Sequence, residues 1–241
     1  MNIDSMGFLY LSILLDSMTI TPKTLAFLKA LKTNNNRDWF SNHKTEFLEH
    51  QMGITLFYET LYQKLNQHDT VDAFKVYRIY RDVRFSKNKA PYKSHFAGSF
   101  HRKKPELRGG YYLQLAPDDE SFLAGGFWNP NKEDLLRIRK ELESDASAFR
   151  NFLKSPEFVA HFGGTLEGEE LKTAPRGFPK THPNIDLIRK KGFIAVKKFT
   201  DKDVLSPEFS KNVDLSFQAL RPFFDVMSDI LTTNLNGESL L

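Results

Sequence analysis

Strand-like segments crowd the middle of this chain, and helical patterns lie on both sides of them. Residues 73–85 (AFKVYRIYRDVRF) are rich in aromatic and β-branched side chains and read as one strand. Gly110–Ala116 and Ser121–Trp128 flank Pro117-Asp118-Asp119-Glu120, a turn-rich connection, and form a hairpin. Phe193–Phe199 is a further strand. Upstream, Thr21 followed by Pro22 is an N-cap with proline in the first turn, and Leu25, Leu28 and Leu31 recur at helical spacing. Asn34–Asn36 end that helix and cap a second, which carries Trp39, Phe40, Phe47 and Leu48 and which Gly53 interrupts. Downstream, helices are expected at 131–142, 146–154, 156–162 and 184–191. A last one runs from Ser206 to about Asn234, kinked at Pro222. A block of strands between blocks of helices specifies an α+β fold with a central, mostly antiparallel sheet, not alternating βαβ units.

Several chemistries are excluded. The chain has no cysteine, so disulfides, cysteine-based metal sites and a thiol nucleophile are ruled out. The glycine-rich fingerprints of dinucleotide and P-loop sites are absent, as is a G-x-S-x-G elbow. His43 and His50 lie near Glu46 and Glu49 without an H-E-x-x-H pattern, and read as a solvated helix face. No metal or cofactor is implied. The apolar stretch Gly7–Leu15 is far shorter than the roughly 20 residues a membrane span needs. No Lys or Arg precedes it and no A-x-A-like site follows, so it does not read as a secretion signal. Residues 1–17 read as an upstream extension, as from a start codon assigned too early, and residues 18–241 as a single domain. Without a membrane or export signal, the expected compartment is the cytoplasm.

The net charge of only +4 conceals a local imbalance. Between Lys75 and Arg108 eleven basic residues face only Asp82 and Glu106, a charge of +9, so the rest of the chain carries −5. The cations interleave with Phe74, Tyr77, Tyr80, Phe85, Tyr92, Phe96 and Phe100. Under strand periodicity, Arg78, Asp82 and Arg84 share one face. Arg81 shares the other with Tyr77, Ile79, Val83 and Phe85. Arg81 is therefore expected to point inward and to need a carboxylate partner, a structural ion pair. A helical reading would align Arg78, Arg81 and Asp82 instead. Ser86–Lys93 (SKNKAPYK) is a loop after the strand, a common position for functional groups. Arg78, Arg84, Lys89 and Lys93 suit phosphate or carboxylate oxygens. Tyr92 and His95 are candidates for proton transfer, with Asp82 orienting an arginine.

Arg78-Ile-Tyr-Arg81-Asp82-Val-Arg84-Phe85, followed by Asn88-Lys89-Ala-Pro91-Tyr92-Lys93, resembles the R-x-x-R-D-x-R-F…[DN]-K-x-x-Y signature of the bacterial domain-of-unknown-function 2461 family. Asn35–Phe40, the Gly110–Trp128 hairpin and Pro175–Phe178 with His182-Pro183 resemble the same pattern. The resemblance implies no activity. It implies that Arg78, Arg81, Asp82, Arg84, Phe85, Asn88, Lys89 and Tyr92 belong to the defining motif. Arg176 and His182, in a Gly/Pro-rich loop, are secondary candidates for the same site.

Three functional readings follow. In the leading one, an enzyme acts on a phosphorylated or nucleic-acid-derived substrate in an anion cleft. In the second, a non-catalytic module binds nucleic acid through the same cations and rings. In the third, the Arg–Asp motif is an internal ion-pair lattice. Side chains converging in a pocket favour the first reading, a broad exposed stripe the second and burial in pairs the third.

Overall fold

A computed structural model describes residues 20–241; the expected extension at 1–17 lies outside the described residues. Helix α1 spans Pro22–Thr33, its first turn closed by Thr21 Oγ1 accepting from the Thr24 amide. Asn36 starts α2 (Arg37–Asn42) by accepting from the Trp39 amide. The break expected at Gly53 falls at His43 instead, and α3 (Lys44–Leu65) runs unbroken through the glycine. Gly53 faces open space, and a solvent-side glycine costs only about 1 kcal/mol relative to alanine. Burial of Ile54, Phe57, Tyr58 and Leu61 outweighs that.

The sheet has strands β1 (Val71–Val76), β2 (Phe96–Arg102), β3 (Gly110–Leu115), β4 (Ser121–Phe127) and β5 (Phe193–Phe199). They lie side by side in chain order, every pair antiparallel. The α+β fold, the β3–β4 hairpin and β5 match expectation. The strand expected over 73–85 does not: β1 ends at Val76. As an edge strand it can pair only with β2, and the returning segment Ser86–Lys93 is charged and contains Pro91, which has no amide to donate. A single bridge, Tyr80 with Tyr92, survives there. Strand β2 is not legible in the sequence, because its helix-facing row is Phe96, Gly98, Phe100 and Arg102. The Tyr58 ring occupies the space a Cβ at Gly98 would need, and Arg102 is a charge in an apolar row.

The remaining helices among the described residues are α4 (Lys132–Ser144), α5 (Ser147–Leu153), α6 (Pro156–Phe162), α7 (Ile185–Ile188), α8 (Asp201–Val204), α9 (Phe209–Gln218) and α10 (Arg221–Thr232). The long C-terminal helix expected from sequence is thus two, with Pro222 in the first turn of α10, where a missing amide is no loss. Helices cover one face of the sheet. Phe96 stacks on Phe47 of α3 and Phe100 on Tyr58, while Tyr111 packs against Phe217 and Phe224, Phe127 edge-on to Phe223, and Phe199 edge-on to Phe209. Gly126, at φ 146°, lets β4 approach β5, since a Cβ would collide with the Phe193 carbonyl oxygen. No helix among the described residues is long and apolar enough to cross a membrane.

Beneath the helices lies a buried charge network. Arg102 is fully buried, with Nε 2.7 Å from Asp69 Oδ2, and one terminal nitrogen donating to Asp225 and the other to the Arg108 carbonyl. Asp69 is also fully buried; it accepts from the Tyr111 hydroxyl at 2.6 Å and pairs with Arg221 at 2.9 Å. This network joins the α3–β1 turn, β2, β3 and α10.

Candidate functional site

The motif forms a protruding loop between β1 and β2. Its base is tied down by backbone: the Arg81 amide donates to the Pro91 carbonyl, and the Lys93 amide to that of Ile79. Asn35, between α1 and α2, clamps Tyr92 from outside, its side chain donating to the Tyr92 carbonyl and accepting from the Tyr92 amide, both at 3.0 Å. The Tyr92 ring is buried and stacks on Phe40 with centroids 4.0 Å apart. Burial and the nearby Tyr80 hydroxyl hold its phenol above the ordinary tyrosine range. Tyr92 is therefore placed as a packing anchor, protonated at neutral pH.

The loop tip is exposed. Arg84 makes a two-pronged ion pair with Asp82, closest at 2.7 Å, and this guanidinium holds the Asp82 carboxyl below its usual range. Lys89 donates to the Val83 carbonyl at 3.0 Å, which fixes the turn. Phe85, expected on the core face, is instead 96% exposed at the tip. Arg81 also departs from expectation: it is half-buried, and its side-chain hydrogen bond is to Ser86 Oγ at 3.5 Å, not to a carboxylate. The structural ion pair expected there is supplied by Arg102 instead. The physical reason is the loss of strand periodicity beyond Val76, which removes the two-face assignment.

Beside this loop the other cations gather at the bare face of the sheet. The Lys75 and Lys93 ammonium groups lie 5.8 and 5.4 Å from the Tyr77 ring centroid. Burial lowers the Lys93 pKa, and the neighbouring Arg78 lowers it further. Half-buried His95 follows, its imidazole pushed down to about 4 by burial and then by Lys93 and Arg81. Lys75, Arg78, Arg81 and Lys93 thus form one cationic zone, beside which His95 is held as a neutral imidazole at neutral pH. The only carboxylate adjoining the zone on the motif loop, Asp82, is already engaged by Arg84.

The His95 environment has a pH signature. The unfolded chain takes up its proton near pH 6.5, and the folded chain only near pH 4. Between these values the unfolded state holds more protons, so stability falls as pH drops through this window and is unaffected above it. His161, lowered by burial and by Lys197, acts in the same direction and retains its share in a variant. His95→Gln should therefore lessen, not abolish, the fall in melting temperature from pH 7 to about pH 4.5. Superimposable pH profiles for the two proteins would refute this placement of His95.

The bare face itself is laid out by register. Lys75, Ser99, Tyr112, Ala124 and Val196 are cross-strand neighbours in one row, and Gln114, Phe122 and Lys198 lie in the next. The Tyr77 hydroxyl donates to Ser99 Oγ at 2.9 Å, and Ser99 Oγ lies 2.9 Å from His101 Nε2. Burial, with Tyr77 nearby, pushes the Tyr112 phenol up to about 12. A groove of about 530 Å³ runs over this surface, lined by Ser99, His101, Tyr112, Lys104, Arg108 and Trp128 among others. Trp128 is 63% exposed at its rim, and Arg108 is paired with Asp134.

Arg176 and His182 are not joined to this surface by any contact. Arg176 is exposed, and His182 Nδ1 accepts from the Asn184 amide at 3.1 Å, which shapes the turn into α7. Their loop packs toward α4 and α5 through Asn184, which donates to the Leu142 carbonyl and accepts from Arg150. His43 stacks on Trp39, His50 hydrogen-bonds Thr24, and no metal-binding group of carboxylates and histidines occurs among the described residues. Sequence reasoning missed Ser99, His101, Tyr112 and Trp128. The signal was the alternation Ala97, Ser99, His101, masked by Gly98 within it and Arg102 after it.

No curated protein and no solved structure matches the chain. The family model described as "Conserved hypothetical protein (DUF2461)" matches residues 23–225. The motif loop, the clamp at Asn35 and all five strands lie within that match, and the chain belongs to the DUF2461 family.

Proposed function

We propose that the protein binds single-stranded nucleic acid across the bare face of its sheet and along the motif loop. The observation that carries this reading is the sharing of one surface by cations and aromatic rings. Tyr77 and Tyr112 lie 6.4 Å apart, Tyr112 and Phe122 5.5 Å, with Lys75 and Lys93 over the first ring. Rings accept bases by stacking, cations neutralise the phosphates between them, and only an unpaired strand can present both together. An enclosed pocket built by Arg78, Arg84, Lys89 and Tyr92 has less support, because Arg84 and Lys89 are engaged within the loop and Tyr92 is stacked below it.

The test is the salt dependence of binding, followed by fluorescence anisotropy of a labelled oligonucleotide from about 50 to 300 mM salt. Five phosphate contacts, by Lys75, Arg78, Arg81, Lys93 and Lys104, predict a slope of about −3.5 in log affinity against log salt. A slope shallower than about −1, or tighter binding of duplex than of single strand, would refute the reading.

A further inference from the structure

We infer that Ser99 is the nucleophile of a phosphodiester-cleaving site on this face, with His101 as its general base. Residues two apart on a strand point to the same side, so β2 delivers Ser99 and His101 together to the groove. Their side chains meet at 2.9 Å, the reach a nucleophile and its base require. Tyr77 orders the protons. Its hydroxyl donates to Ser99 Oγ at 2.9 Å, so the serine's own proton has His101 Nε2 as acceptor, which takes the imidazole tautomer protonated on Nδ1. Ser99 is 7% exposed at the groove floor, and His101 is exposed beside it. Ser99 is the middle of a side-chain relay that ends at a solvent-facing imidazole.

The lining selects the substrate class. Lys75 is the cross-strand neighbour of Ser99, and Lys104 lies along the same groove, where Arg108 is already paired with Asp134. These charges suit an anionic ester more than a neutral one. In the first half-reaction a bond forms from Ser99 Oγ to phosphorus, and the serine proton passes to His101 Nε2. The phosphorus–oxygen bond to one sugar breaks, and the departing oxygen takes the proton from His101. Water, activated in turn by His101, then attacks the phosphoserine diester. It releases a phosphate monoester and restores Ser99. The substrate assignment rests on the proposed nucleic-acid binding, whereas the reactivity of Ser99 stands on the relay alone.

Two readouts separate these parts. A fluorophosphonate probe reacts by the same first step, with fluoride leaving, and mass spectrometry locates the adduct. The wild-type protein should be labelled at Ser99, Ser99→Ala should not, and His101→Gln should label roughly 100-fold more slowly. Only the wild type should cleave an end-labelled single strand in the presence of EDTA. Absence of an adduct on Ser99, or equal labelling of His101→Gln, overturns the inference whatever the oligonucleotide does. An oligonucleotide that is bound but left intact overturns it too and leaves the binding proposal standing. Labelling at Ser99 without oligonucleotide binding overturns the binding proposal and, with it, the phosphodiester substrate.

Discussion

Arg102→Ala is expected to unfold at a far lower urea concentration than the wild-type protein. The side chain is fully buried and is the hub of a network that reaches Asp69, Asp225, Ser228 and the Arg108 carbonyl. Removing it strands the fully buried Asp69 carboxylate with Arg221 as its remaining cation among the described residues, and opens a gap over the Phe224 ring. Breaking one side of a buried pair costs about 3–5 kcal/mol. That is a large share of the roughly 5–15 kcal/mol that holds a domain together. Urea titration of Arg102→Ala beside Arg84→Ala measures it. Arg84 is exposed on the loop tip, and its loss should leave the urea midpoint in place. Equal midpoints for the two variants would mean that the network does not hold β2 and β3 to α10.

The contrast also shows what was readable in the residues. The α+β class, the helix caps at Thr21 and Asn36, the hairpin after Gly110 and strand Phe193–Phe199 are local matters of turn chemistry and periodicity, and they stand as expected. The ion pair expected at Arg81 is not formed, because strand periodicity does not extend that far. The buried network at Arg102 depends on Asp69 and Asp225 arriving from distant points of the chain, which no spacing rule reveals. The motif shows the same division. Its cations were evident, whereas the early end of β1 was not, because it depends on what the returning segment can pair with. The surface that unites Lys75, Tyr77, Ser99 and Tyr112 needs the register of three strands, one of them illegible in the sequence.

Removing charge from that surface should have the largest effect on binding. Lys75 and Lys93 flank the Tyr77 ring, and Arg78 lies close enough to Lys93 to lower its pKa. In Lys75→Gln/Arg78→Gln/Lys93→Gln the slope of log affinity against log salt should fall by about 2, since each contact to a single strand contributes about 0.7. Referred to 1 M salt, where counter-ion release contributes nothing, the same three contacts amount to about a 100-fold loss of affinity at 0.1 M. The fold should be untouched, because Lys75 and Arg78 are exposed and Lys93 is only half-buried. The exposed loop tip supplies the control. Arg84 is already engaged by Asp82, so Arg84→Gln should change the slope far less than any one of the three substitutions. A triple variant that binds like the wild type at low and high salt alike would mean that phosphates do not contact this face. A variant in which Arg84→Gln has the greater effect would move the binding surface from the sheet to the tip of the loop.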